Sequence, residues 1–201
     1  MLTLAIQAGG QSSRMGRDKG LVEFLGKPLV AQVMDRLAPL ADEVILTTNT
    51  PEAYRFLGVP LFPDLKPGRG ALGGLYTALA SASHPLVAVV ACDMPFASGA
   101  LLAYARDLLL NSDDDVAVPE SSDGMAEPFH AVYRREPCQL AVAQAIDSDL
   151  WKLIAWYPQV RVRHITSEEV SRLDPAGLAF RNVNTPDELS QAEQRAREIG
   201  Y

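Results

Sequence analysis

Leu2-Thr3-Leu4-Ala5-Ile6-Gln7-Ala8-Gly9-Gly10-Gln11-Ser12-Ser13-Arg14-Met15-Gly16-Arg17-Asp18-Lys19 carries the strongest fold signal in the chain. The apolar run Leu2–Ile6 has the length and composition of a buried strand. It leads straight into paired glycines, Gly9 and Gly10, and then into the cations Arg14, Arg17 and Lys19. Glycines let backbone N–H groups approach an anion closely, and the cations neutralise it. A strand that ends in such a loop predicts an α/β fold, because open α/β sheets bind ligands at the carboxyl ends of their strands. Two look-alikes fail. A P-loop needs Gly-Lys-Ser/Thr, but Gly16 is followed by Arg17-Asp18. A nucleophile elbow around Ser12 needs glycine where Arg14 stands.

Beyond this stretch, strand-like and helix-like segments alternate. Leu21–Leu25 is short and apolar, and Gly26-Lys27 turns it. Pro28 opens a helical pattern with Leu29, Val33, Met34 and Leu37 on one face. Val44–Thr48 reads as a strand, and Asn49-Thr50-Pro51 as the cap of a short helix through Phe56, closed by Gly58. Val59–Phe62 is a brief strand. The Gly/Pro-rich segment Lys66–Gly74 precedes a helix to about Ala82, and Leu86–Ala91 is the clearest buried strand. Ser98 starts a helix through Leu110. Asp115–Pro119 and Phe129–Tyr133 read as strands around the polar turn Ser121–Gly124. Helices are predicted over Pro137–Ile146 and Leu150–Trp156, then a strand at Val160–Ile165. A last helix begins after Asn184-Thr185-Pro186, with Asp187 and Glu188 in its first turn. The alternation predicts one domain over residues 1–201: a mostly parallel, doubly wound (Rossmann-like) sheet with helices on both faces.

The chain has 201 residues and is 48% hydrophobic, enough for a sizeable α/β core and too apolar for disorder. A net charge of −7 argues against non-specific nucleic-acid binding, which needs a broad basic surface. Arg14, Arg17, Lys19 and Lys27 nonetheless gather positive charge near one end, suited to a small anionic ligand. No apolar run reaches membrane-spanning length, and the N-terminus lacks the basic start of a secretory signal. Cys92 and Cys138 have no metal-ligand spacing. A cytoplasmic protein without membrane or nucleic-acid partners is the expectation.

Asp93 follows the Leu86–Ala91 strand and precedes Met94-Pro95, which places it at a strand's carboxyl end. A carboxylate there suits Mg²⁺, a hard ion bound by one or two carboxylates plus substrate phosphates. Turn capping is the alternative. Asp64 sits on another such loop, where it either touches ribose, base or a metal-bound water, or shapes the turn before Pro67-Gly68. Gly68-Arg69-Gly70-Ala71-Leu72-Gly73 matches G-x-G-x-x-G, but Pro63–Pro67 separates it from its strand. It therefore reads as a loop and helix start beside a nucleotide rather than a dinucleotide fingerprint. His84, His130 and His164 are scattered; His130, on Glu127-Pro128-Phe129-His130, either faces a second substrate or packs in the core. Trp151, Trp156 and Tyr157 are expected to pack the core or an interface.

Taken with Gly26-Lys27-Pro28-Leu29, Gly70-Ala71-Leu72-Gly73-Gly74, Cys92-Asp93-Met94-Pro95-Phe96 and Asn182-Val183-Asn184-Thr185-Pro186-Asp187-Glu188-Leu189, the Ala8–Lys19 block makes this chain resemble the molybdenum cofactor guanylyltransferase family. That family belongs to the Rossmann-like nucleotidyltransferases. The resemblance implies transfer of GMP from GTP to molybdopterin with release of pyrophosphate, and Mg²⁺ as cofactor. It implies nucleotide binding by Gln7, Ala8, Gly9, Gly10, Lys19, Asp64 and Asp93, with Thr47 and Asn49 near guanine. It implies transient contact with cofactor-delivery or acceptor proteins. The chemistry suits Arg14, Lys19 and Asp93 as catalytic residues and Asp93 as metal ligand, with Asn184 either completing the metal shell or capping the last helix. Asn182 competes with Asn184 for that role. Gln7 stands where the family usually has Leu, and Gly70–Gly74 departs from its Gly-Pro-Leu-Ala-Gly. Gly9-Gly10 and Asp18-Lys19 favour guanylyl over cytidylyl transfer. Cytidylyl transfer, a sugar-phosphate nucleotidyltransferase and a non-catalytic nucleotide sensor are the alternatives.

Overall fold

The computed structural model describes residues 1–9 and 18–201. Its strands and helices follow in chain order. β1 is Leu2–Gln7, β2 Glu23–Phe24, β3 Lys27–Pro28, α1 Leu29–Leu37, β4 Glu43–Thr47 and β5 Leu61–Phe62. α2 is Gly70–Ser81, β6 Leu86–Ala91, α3 Gly99–Leu110, β7 Val116–Pro119 and β8 His130–Arg134. α4 is Arg135–Asp147, β9 Val162–Ile165, α5 Ser167–Leu173 and α6 Pro186–Glu198.

The main sheet has seven strands in the order β5-β4-β1-β6-β8-β7-β9. β4, β5 and β6 run parallel to β1, and β9 runs parallel to β7. β8 is antiparallel to both its neighbours, because the Ser121–Gly124 turn folds it back on β7. The chain moves outward from β1 to β4 and β5, then returns to β6 on the other side of β1. That reversal opens a crevice at the carboxyl ends of β1, β4 and β6.

Period-two alternation divides the core between the two sheet faces. Leu4 and Ile6 pack with Val33 and Leu37 of α1 and Leu101, Leu102 and Ala105 of α3. Ala5, Val87 and Val89 pack on the other face with Leu75 and Leu79 of α2 and Val142 and Ile146 of α4. A smaller cluster of Phe24, Leu29, Phe96, Val183, Ala192 and Ala196 docks α6 beside the crevice. No helix among the described residues is long and apolar enough to cross a membrane.

Three segments away from the crevice differ from the sequence reading. Leu150–Trp156 is not a helix but a run of turns. It starts from Asp149, whose φ of 58° is left-handed, and ends against Pro158, so there is no room for two helical turns. Trp156 still reaches the core, fully buried against Tyr133, while Leu150, Trp151 and Ile154 stay exposed. The Pro51–Leu57 segment is a 3₁₀ helix, and Thr50 makes no side-chain cap to it. α5 was not anticipated, although its Thr166/Glu169 capping box is readable in the sequence.

His130 packs rather than facing substrate. It is 1% exposed, its Nε2 accepts from the Ser98 N–H at 2.8 Å, and its ring meets Phe180 edge-on. Burial lowers its pKa from 6.5 to about 4. Between these values the unfolded chain carries the proton and the folded chain does not, so stability falls as pH falls. This linkage is expected to cost about 2 kcal/mol on going from pH 7.5 to pH 5. Urea unfolding at both pH values checks it: His130→Gln should lack that share of the loss, and equal losses in the two proteins would contradict it.

Candidate active site

The crevice is a cleft of about 1410 Å³. Gln7, Ala8, Gly9, Lys19, Thr47, Asn49, Asp64, Asp93 and Asn184 all line it. Gly10 and Arg14 lie outside the described residues. Parallel register sets the floor: Gln7 stands level with Thr47 on β4 and Ala91 on β6. The ladder continues one residue past the strand ends, with the Ala8 N–H on the Thr47 carbonyl and the Cys92 N–H on the Gln7 carbonyl, both at 2.9 Å.

Lys19 is placed by the residue before it. Asp18 caps a 3₁₀ turn over Lys19–Leu21, and its carboxylate accepts from the Gly20 N–H, the Thr50 hydroxyl and the Tyr54 hydroxyl. Gly20 has no room for a side chain, since a Cβ there would stand 2.6 Å from the Tyr54 hydroxyl oxygen. The anchoring role of Asp18 escaped the sequence reading; the Asp-x-Gly spacing of an Asx-type turn was its signal.

The Lys19 ammonium then reaches across the cleft. Nζ donates to Asp93 Oδ2 at 3.2 Å and to Asn184 Oδ1. Asn184 is not the cap of α6. That cap is Thr185, whose hydroxyl accepts from the Glu188 N–H, while Glu188 Oε2 accepts from the N–H groups of Asn184 and Thr185 at 2.7 and 3.0 Å. The capping box thus fixes the Asn184 backbone and leaves its amide to the cleft. The Val183 N–H on the Asp93 carbonyl, at 2.9 Å, ties this segment to the β6 terminus.

On the other side, Asn49 and Asp64 bind each other reciprocally. Asn49 Nδ2 donates to Asp64 Oδ2 at 2.9 Å, and the Asp64 N–H donates to Asn49 Oδ1 at 3.0 Å. The loops after β4 and β5 are locked together, with hydroxyl-binding groups facing the cleft. α2 begins at Gly70, earlier than its glycine content suggests, and lies close to β1: a Cβ on Gly74 would meet Gln7 Nε2 at 2.9 Å. That Nε2 is buried and has no partner among the described residues. Cys92 lines the cleft, but burial and the neighbouring Asp93 push its thiol pKa far up, so it is no nucleophile.

Asp93 Oδ2 and Asn184 Oδ1 are oxygen donors that already converge on one cation, the Lys19 ammonium. Hard oxygens around a cation position suit a divalent ion such as Mg²⁺. Among the described residues no group of three or more His, Cys, Asp or Glu gathers to hold a metal. A metal in this cleft would take its remaining ligands from substrate phosphates and water.

Residues 4–162 match the family described as the MobA-like NTP transferase domain. The chain is 36% identical to a probable molybdenum cofactor guanylyltransferase of Pelotomaculum thermopropionicum, covering 96% of this chain and 93% of that one. It is 33% identical to the molybdenum cofactor guanylyltransferase of Desulfosudis oleivorans, covering 96% and 94%. The fold is similar to that of molybdopterin-guanine dinucleotide biosynthesis protein A from Archaeoglobus fulgidus, with a TM-score of 0.83 at 24% identity over 98% of this chain and 99% of that one.

Proposed function

Because this chain belongs to the molybdenum cofactor guanylyltransferase family of nucleotidyltransferases, we propose that it moves GMP from GTP to the terminal phosphate of molybdopterin, releasing pyrophosphate, with residues 1–201 acting as one catalytic domain. The observation that carries this reading is the convergence of Lys19, Asp93 and Asn184 opposite the Asn49–Asp64 pair in one cleft. The volume supports it as well. About 1410 Å³ exceeds the roughly 300–1,000 Å³ of a typical small-molecule pocket, leaving room for a nucleotide and an acceptor together.

An acceptor oxygen attacks the α-phosphorus of GTP, a new P–O bond forms, and the α–β bridge breaks with its electrons leaving on pyrophosphate. A phosphate monoester has a second pKa of about 6 and is already ionised near neutral pH, so no strong base is needed. The residues' task is to hold two polyanions together in line. Lys19 offsets charge on the triphosphate, and more as pyrophosphate departs; Arg14 is assigned the same task. Asn49 and Asp64 hold the nucleoside, the backbone at Gln7, Ala8 and Gly9 lies along its base and phosphates, and Gly10 is assigned the same task. Asp93 and Asn184 would hold Mg²⁺, which when bound supplies charge neutralisation at the triphosphate oxygens. Calorimetry with GTP, CTP and ATP in Mg²⁺ tests the base assignment: GTP should bind at least about tenfold more tightly, a gap of roughly 1.4 kcal/mol. Equal binding of CTP and GTP would contradict it.

A further inference from the structure

We propose that Glu127 is the residue that recognises the acceptor, taking the 2-amino-4-oxopyrimidine edge of a pterin on its carboxylate; this rests on the guanylyltransferase reading above. The placement comes from strand direction. β8 runs antiparallel to β6, with Val90 opposite His130 and the Ala91 N–H on the Phe129 carbonyl at 3.2 Å. Residues just before β8 therefore stand beside those just after β6. Glu127, Pro128 and Phe129 form the cleft wall on the far side of Asp93 from Asn49 and Asp64. With the nucleoside on the β4 side and the phosphates at Lys19 and Asp93, this wall is left for the second substrate.

The Glu127 backbone is fixed at both ends. Its N–H donates to the Pro119 carbonyl and its carbonyl accepts from the His130 N–H, each at 2.9 Å. Its side chain is half-buried and makes no hydrogen bond or ion pair with the described residues. The charged neighbour that bears on it is a second carboxylate, Asp123, and burial together with that neighbour raises its pKa. A rigidly placed, partly desolvated carboxylate with no counter-charge among the described residues is a poor stabilising element and a good receptor for paired N–H donors. Two coplanar donors at bidentate spacing are what a pterin presents through N3–H and its 2-amino group. Pro128 and Phe129, which line the cleft beside it, add apolar wall for a flat ring. Guanine carries the same donor edge, so GTP is the other source of this chemistry.

Fluorescence titration of the full chain with 6-hydroxymethylpterin and with 6-hydroxymethyllumazine, which has oxygen in place of the 2-amino group, reads the pterin. Calorimetry with GTP and ITP, which lacks the 2-amino group, reads guanine. Wild-type protein is expected to prefer the pterin over the lumazine by at least about tenfold. Glu127→Gln should bring that preference close to unity and leave the GTP/ITP ratio unchanged. Retained pterin preference in the variant overturns the proposal, as does absence of pterin binding by wild-type protein. A change in the GTP/ITP ratio with the pterin preference intact also overturns it, and assigns Glu127 to guanine. If wild-type protein fails to bind GTP yet shows the Glu127-dependent pterin preference, the acceptor role stands and the nucleotide reading falls.

Discussion

Asp93→Asn is expected to lower kcat for nucleotidyl transfer by roughly 10³-fold or more, the loss of several kcal/mol of charge stabilisation at the reacting phosphates. The substitution keeps the shape of the side chain and removes its charge. The fold should survive, because the Asp93 backbone, not its carboxylate, holds the α6 segment through the Val183 N–H. The carboxylate's partner is Lys19, at 3.2 Å. Single-turnover assays with saturating GTP and Mg²⁺, alongside urea unfolding, separate the two effects. Near-normal turnover in the variant would remove Asp93 from the chemistry. Unfolding at much lower urea would assign it a structural role instead.

Lys19→Ala is expected to lower kcat by about 10²–10³-fold, or about 3–4 kcal/mol, with a much smaller change in KM for GTP. Before substrate binds, the ammonium is shared between Asp93 and Asn184, so its charge is partly neutralised. As pyrophosphate departs, charge accumulates on the leaving oxygens, and a cation already placed by Asp18 and its turn meets it without reorganisation. An interaction that grows toward the transition state appears in kcat. Lys27→Ala is the control. Its ammonium pairs with Asp35 at the surface, their side chains are 46% and 50% exposed, and such pairs contribute little. If Lys19→Ala raises KM for GTP and spares kcat, Lys19 is a binding residue and no more.

Much of the fold is legible because strand, loop and cation coincide in the first nineteen residues and because β6 is a continuous apolar run. A central parallel strand buried on both faces needs such a run. Less legible were segments whose conformation is decided from outside. Leu150–Trp156 has helical apolar spacing, yet left-handed Asp149 and the pull of Trp156 into the core against Tyr133 turn it into a string of turns. The antiparallel β8 follows from a hairpin, and local propensity does not report direction.

For the site, strand ends were the reliable guide: Gln7, Thr47 and Ala91 stand level on neighbouring strands, and Asp93 follows Ala91 by two residues, so these termini had to meet. The choice between cap and cleft for Asn184 could not be made from sequence, since Asn184 and Thr185 are both good caps. The Thr185/Glu188 capping box decides it by using Thr185. His130 and Glu127 show the same difficulty in reverse. Both sit on one short segment, and only the pairing of β8 with β6 shows which faces the core and which the cleft.

Passage of GMP from GTP to the pterin phosphate is the step on which every residue role above depends. Incubating the protein with Mg²⁺, molybdopterin and GTP labelled at either the α- or the γ-phosphate tests it most directly. α-Label is expected in the pterin product, γ-label only in pyrophosphate, and little transfer from α-labelled CTP. Transfer of γ-label to the pterin, or equal transfer from CTP and GTP, would contradict it.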